Sequence, residues 1–530
     1  MLHCGDLTER GTGVSSGRIV FISMLLAVMA ICIRVNHLLD VSFWFDEACA
    51  WRISQFTWGE MWDAILRDAH PPVGYLLQAA WGRMLGTSVA SVRLLSLLCG
   101  LGAVVGMSLL AGLCVRNAEE RLNSRAGVIT IGLAAGLLAF SPLQITFSQQ
   151  ARPYAFCVLL SLLTAAWLMQ ALERPQKWGW WTVFALTGLL LSMTHYSGLF
   201  TLMGLFLFGL GETFMDRRGS WTHRENVRRW QGLAGSLVLI QAGWWFWLPF
   251  FQNQCLRANA QLWLAPFTWT HWREVCTASL IVDGGTLMPS SLSSLANGTW
   301  VIWGSVPVLA ALICGRGGRL VFWGTVIPLA GMTAYSILVR NILEARLLCS
   351  TQAMLCLGVA LLVGRIRSPL TQTLCLWGVG IAVFWNCGKY AEQRHWHGNH
   401  AGLRAAIDML NRVRQADEPI IACSPFLFVS LVTQLRTPEH VYVEYSGDHR
   451  QDVLGGPPLR PRDYESVPDL IDTHPDTIWT VDADQMFGRA FQVRIPDSYR
   501  PVKQIRFAET FGIPAEIVVR GYHFQSSSPF

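Results

Sequence analysis

Charge is scarce in this chain: Asp, Glu, Lys and Arg make up 14% of its 530 residues, against 52% hydrophobic ones. With a mean hydropathy of +0.35, that shortage excludes an ordinary soluble domain and points to a chain that crosses a membrane many times. The 14 cysteines include no CxxC pair, which removes the usual spacing of a zinc or redox centre. Most lie in apolar stretches, where a thiol packs as a small apolar side chain. Cys255 and Cys276 share one loop and are the pair that could bridge in an oxidising compartment. No internal repeat is present, and repeats are the mark of many transporters. The net charge of +6 comes largely from arginines between the apolar stretches and calls for no nucleic acid.

The apolar segments fall near 18–38, 88–115, 127–143, 154–172, 178–194, 197–214, 233–251, 298–314, 320–338, 347–364 and 369–386. Each is close to the roughly 17 to 25 residues that a hydrocarbon core demands, so about eleven transmembrane helices are expected. The first segment runs on into Arg34, Asn36 and His37 without a small-residue cleavage site, and is expected as a retained anchor. Arginine is richest in alternate short loops (Arg116, Arg121 and Arg125; Arg217, Arg218, Arg224, Arg228 and Arg229; Arg316 and Arg319; Arg365 and Arg367). That bias predicts a cytoplasmic N-terminus. It sets Asp46, Glu47, Arg152, His195 and the C-terminal region on the extracytoplasmic side, as expected for an integral protein of the plasma (inner) membrane.

The first outside loop, about 41–87, opens on Ser42-Phe43-Trp44-Phe45-Asp46-Glu47-Ala48. Residues 56–66 carry Trp58, Met61, Trp62 and Ile65 at helical spacing, so an interfacial helix is expected there. Pro72 suits the first turn of a further helix over 73–85. His70, just before Pro71, reads either as a loop residue or as a ligand. In Ser148-Gln149-Gln150-Ala151-Arg152-Pro153-Tyr154 the connection is so short that Arg152 must sit at the membrane boundary, snorkelling to headgroups or holding an anion. The next outside turn carries His195 and Tyr196. The loop 252–297, with Trp263, Trp269 and Trp272, reads as re-entrant or interfacial helices, and Asn297-Gly298-Thr299 matches a glycosylation sequon. In RNILEAR, Arg340 and Arg346 flank Glu344, either as ligands or as a pair closing a loop.

Beyond Lys389 the chain is richer in charge, with an amphipathic helix over 401–413 and short strands at 420–422 and 441–443. The division expected is a transmembrane catalytic domain over 1–387 and a small extracytoplasmic α/β domain over 388–530. His395, His397 and His400 have neither the spacing nor the neighbouring acids of a standard metal site.

Taken in order, FWFDEA, HPPVGYLL, the RLLS of Arg93 to Ser96, SQQARPY and EARLL resemble the GT-C membrane glycosyltransferases. These are the dolichyl-phosphate-mannose-protein mannosyltransferase superfamily, glycosyltransferase family 39, related to protein O-mannosyltransferases and lipid A aminoarabinose transferase. The likeness spans roughly the first 365 residues. It implies a GT-C fold, a polyprenyl-phosphate-linked sugar as donor, and Asp46 as the catalytic acid of the first loop. Relatives often read SQEAR where this chain has Gln150; an amide cannot ionise, which puts any metal or proton role of that position in doubt, while binding of neutral hydroxyls remains open.

The chemistry agrees. A hydroxyl acceptor on a protein or glycolipid needs its proton removed as the bond forms, the work of a positioned carboxylate, and Asp46 is the expected base. Negative charge grows on the departing lipid phosphate, and Arg152 and Arg346 are the expected stabilising cations. His70, Gln150, Tyr154, His195, Tyr196 and Arg340 complete the expected donor and substrate site. Glu47 is expected to orient Asp46 or the acceptor, with a divalent metal as a third role; no other cofactor is implied. One base implies inversion at the anomeric carbon. The alternative is a transporter or flippase of lipid-linked sugars.

Overall fold

A computed structural model describes residues 16–116, 124–215, 223–259, 264–282, 298–444, 458–460, 463–465, 470, 472–486, 488–512 and 514–525. Arg121, Arg217, Arg218, Trp263 and Asn297, which figure in the orientation, loop and sequon expectations, lie outside these residues. The chain forms two compact units. One comprises 1–36, 70–74 and 94–390, the other 37–69, 75–93 and 391–530. The first-loop helices therefore belong to the same unit as the C-terminal region, across the boundary expected near residue 388.

The eleven apolar segments are largely helical, but fewer of them than the eleven expected are long enough to span. Among the described residues, six helices are long and apolar enough to cross a membrane: Val89–Arg116, Tyr154–Glu173, Ser197–Met215, Gly315–Leu338, Ala345–Gly364 and Pro369–Asn399. Two bent pairs raise the number to eight, Arg125–Ala139 with Pro142–Ser148 and His223–Trp245 with Leu248–Leu256. The remaining three segments are shorter in the structure: an apolar run over Met24–Val35, a helix over Trp178–Thr194, and Thr299–Ile313.

In the membrane unit, helices pack where small residues let backbones approach. A Cβ at Gly318 would sit 1.7 Å from the Ala310 carbonyl oxygen of the preceding helix, Ile302–Ile313. Gly318→Ala is thus expected to cost about 1–3 kcal/mol by overpacking, read as a lower aggregation temperature of the detergent-solubilised protein. The first bent pair turns by 57°, with Pro142 opening its second helix and the Ser141 hydroxyl accepting from the Gln144 amide. Irregular backbone at membrane depth survives only where protein satisfies it, and here Arg34 does so. Its guanidinium is fully buried and donates to the Ala139 carbonyl at 2.7 Å and to Ser148 Oγ at 3.2 Å. Gln144 and Gln352 add an amide pair at 2.9 Å.

Cys255 and Cys276 are both free thiols, so the bridge considered above is not formed. Cys276 is instead core, packed with Val275, Trp303 and Leu329.

In the other unit a seven-stranded sheet is built from β1 (Ile420–Ala422), β2 (Val441–Glu444), β3 (Tyr464–Glu465), β4 (Thr477–Met486), β5 (Arg489–Phe491), β6 (Tyr499–Glu509) and β7 (Ala515–Phe524). The order is β3-β2-β1-β4-β7-β6, with β5 on β4. The β1–β2, β2–β3 and β1–β4 pairs are parallel, while β7 runs antiparallel between β4 and β6. The parallel β1–β2 connection needs a crossover, supplied by the helix Pro425–Gln434, which starts on Ser424 as N-cap.

Candidate active site

The two adjacent acids lie in the unit that comprises 37–69, 75–93 and 391–530. Asp46 and Glu47 stand in the first turn of the helix Phe45–Ser54, where the helix dipole favours negative charge. The two carboxylates have different surroundings. Glu47 is fully buried and bidentate on Arg93, with Arg93 Nε donating to Oε1 at 3.0 Å and Nη2 to Oε2 at 2.7 Å. The same guanidinium donates to the carbonyls of Leu38 at 2.7 Å and Ser42 at 3.0 Å and lies over the Phe43 ring. Both side chains of the pair are at 0% exposure, so the fork geometry satisfies a charge that would otherwise be costly to bury. Asp46, one residue earlier and about 100° round the helix, is partly exposed.

Arg93 is the residue that reading the sequence missed. It appears there as part of the RLLS motif and not as part of the site. The available signal was an arginine at the start of an otherwise apolar helix, Val89–Arg116.

The same unit holds this loop from the C-terminal side. Glu509 Oε2 accepts from Ser42 Oγ at 2.6 Å and from the Leu403 amide at 3.0 Å, and Oε1 accepts from the Phe511 amide at 2.8 Å. Burial pushes the Glu509 carboxyl above its usual range, and these donors pull it back toward the charged form. Phe45 packs on Phe426 at 4.3 Å between ring centres, and Arg52 pairs with Asp463 while lying over the Phe428 ring.

The membrane unit holds a second cluster, gathered from three separate motifs. Arg152 Nη2 lies 3.4 Å from His70 Nε2. Arginine can only donate, so that nitrogen must be the acceptor and a neutral His70 carries its proton on Nδ1. The His70 and His195 rings are 5.2 Å apart, and Tyr154 lies 5.4 Å from His195 and under the Arg152 guanidinium. His195 Nδ1 accepts from the Ser197 amide at 3.1 Å, which puts its proton on Nε2. The hairpin that presents Arg152 is fixed by the buried Gln149. Its Nε2 donates to the Arg34 and Asn36 carbonyls at 2.9 and 2.8 Å, and its Oε1 accepts from Tyr390 Oη at 2.7 Å. Gln150 is buried, and its Oε1 has no hydrogen-bond partner, an arrangement costing about 1–3 kcal/mol that a bound donor group would relieve.

Two other expected site residues, Tyr196 and Arg346, have contacts elsewhere. The Tyr196 hydroxyl donates to Gln254 and accepts from Trp247 Nε1 at 2.9 Å, within an aromatic group that includes Phe251. Arg340 and Arg346 flank an irregular turn after the helix Gly315–Leu338, and Arg346 is ion-paired with Glu344. The three C-terminal histidines have separate partners: His395 meets Asn399, His397 meets Thr510, and His400 meets the Trp396 carbonyl. Among the described residues no three His, Cys, Asp or Glu side chains converge as metal ligands.

The combination of membrane-length helices and a small C-terminal sheet is similar to the GT-C fold. Residues 69–245 match the family model described as Dolichyl-phosphate-mannose-protein mannosyltransferase. Two crystal structures of ArnT from Cupriavidus metallidurans share the fold at 14% identity. One is bound to undecaprenyl phosphate (TM-score 0.55) and the other is in the apo state (TM-score 0.56), and each alignment covers 94% of this chain and 97% of ArnT. No curated protein sequence matches the chain significantly.

Proposed function

We propose that this integral membrane protein transfers a sugar from a polyprenyl-phosphate donor to a hydroxyl of a protein or glycolipid on the extracytoplasmic side, with inversion. The observation that carries the reading is the unequal pair of acids: Asp46 is partly exposed, while Glu47 is locked on Arg93. Asp46 is the general base for the acceptor hydroxyl, and Glu47, held on Arg93, is not the nucleophile that a glycosyl-enzyme would need. Glu47 orients Asp46. The family match over 69–245 and the likeness to ArnT, which has been crystallised with undecaprenyl phosphate, support a lipid-phosphate donor.

In this reading Arg152 receives the charge that grows on the departing phosphate. His195 Nε2–H and the Tyr154 hydroxyl are further donors to it, and His70 holds Arg152 in place. Gln150 accepts a sugar hydroxyl. Arg346, already neutralised by Glu344, is the weaker phosphate ligand, and Arg340 and Tyr196 shape the substrate's surroundings.

Two experiments test this. NMR of the product should show the anomeric configuration opposite to that of the donor, and retention would overturn the single displacement. Arg152→Ala should lower kcat/KM for the donor about 10- to 100-fold, the equivalent of about 1.5–3 kcal/mol for a charged hydrogen bond. Arg152→Lys should recover only part of that, because an ammonium lacks the planar fork.

A further inference from the structure

The C-terminal sheet has no part in the chemistry above, yet one of its turns lies against the Asp46 loop within the same unit. We infer that the turn between β6 and β7 is a positioning element for catalysis, holding Ser42 and Trp44 so that Asp46 meets its acceptor at the required angle. This rests on the reading of Asp46 as the base.

Three contacts converge from that turn. Glu509, the last residue of β6, accepts the Ser42 hydroxyl at 2.6 Å. Phe511 meets the Trp44 ring edge to face at 6.4 Å. Gly512 has φ +77°, a conformation that glycine adopts without strain, and a Cβ built there would lie 3.0 Å from Trp44 Cβ and from a carbon of its ring. Trp44 is the N-cap of the helix that starts with Phe45, Asp46 and Glu47, and Ser42 carries one of the carbonyls that Arg93 holds. The turn is itself braced: His397 Nδ1 lies 3.0 Å from Thr510 Oγ1, and the Arg394 guanidinium lies over the Phe511 ring. Asp46 is thus fixed from two directions, by the Glu47–Arg93 pair behind it and by the turn on the two residues before its helix.

Ser42, Glu509 and Gly512 are positioning residues, and their removal should act on turnover and not on donor affinity. A displacement of about 1 Å can cost about 10²-fold in rate. The test is the full-length protein in nanodiscs, assayed on a polyprenyl-phosphate sugar, with hydrogen–deuterium exchange followed in peptides covering 42–54. Gly512→Ala pushes on Trp44 without touching the sheet, and Ser42→Ala deletes one hydroxyl, so at least one of the two should fold. Each should lower kcat about 10- to 100-fold, leave the donor KM within about twofold, and speed exchange in 42–54 while peptides of β4 and β7 stay protected. Asp46→Asn, by contrast, should lose turnover with wild-type exchange. Unchanged exchange in the folded variants of an active enzyme overturns the clamp alone, as does faster exchange with kcat retained. A wild-type protein inert on every lipid-linked sugar overturns the reading of Asp46 and this role with it.

Discussion

Asp46→Asn is expected to lower the turnover of lipid-linked sugar by about 10²- to 10⁴-fold, the range that a positioned general base supplies. The substitution is isosteric, so the helix Phe45–Ser54 keeps its first turn, and Glu47 keeps Arg93. Donor affinity should stay within about twofold, since Asp46 acts on the acceptor hydroxyl and only as the bond forms. A paired measurement of donor binding and turnover decides the point. Wild-type turnover in Asp46→Asn removes the base assignment, and equal losses in binding and turnover would make Asp46 a donor ligand. Glu47→Gln should behave differently. It keeps a hydrogen bond to Arg93 but leaves the guanidinium short of a counter-charge, so the fold and the rate should suffer together.

The second large effect is on Arg93. Arg93→Ala leaves the Glu47 carboxylate at zero exposure with its partner gone, a situation that typically costs about 3–5 kcal/mol. It also strips donors from the Leu38 and Ser42 carbonyls. The expected outcome is a sharp fall in yield of monodisperse protein and in aggregation temperature. The double variant Arg93→Met with Glu47→Leu removes both charges and keeps the volume, so it should recover most of that stability. It should not recover the rate, because neither replacement can hold the Ser42 carbonyl or orient Asp46. A double variant that is both stable and fully active would reduce the buried pair to packing.

Apolar length was readable along the whole chain because each membrane helix must satisfy its own backbone and cover itself with hydrocarbon, but the number of spans was not: six to eight of the eleven segments are long enough to cross, since bends and short helices do not show in hydropathy. The helix Val73–Leu85 was readable from Pro72 and the amphipathic Gly402–Val413 from its spacing. The helix Phe45–Ser54 was not, because it buries Glu47 and Arg52 beside Phe45 and Ile53, so its periodicity is masked by ion pairs formed with residues far along the chain. The break at Ser141 and Pro142 reads as one continuous span, since the Arg34 that stabilises it comes from another helix. β6 alternates only over 505–509, because a register shift between Pro501 and Lys503 breaks its phase and the edge strand leaves its first half exposed. In the site, His70, Arg152 and His195 were each legible as motif residues, whereas their convergence is a property of packing. Arg346 and Tyr196 show the converse, motif positions whose contacts are with Glu344 and with Gln254 and Trp247.

The central claim is group transfer from a lipid phosphate, and its most direct test follows the sugar itself. Wild-type protein in sealed proteoliposomes would be offered a panel of radiolabelled polyprenyl-phosphate sugars with acceptor protein and glycolipid on the same side. Label should move from the lipid to an acceptor, with polyprenyl phosphate released in equal amount and neither product formed by Asp46→Asn. Label that crosses to the opposite leaflet still attached to its polyprenyl phosphate, in wild type and variant alike, would contradict it and make the protein a transporter of the donor.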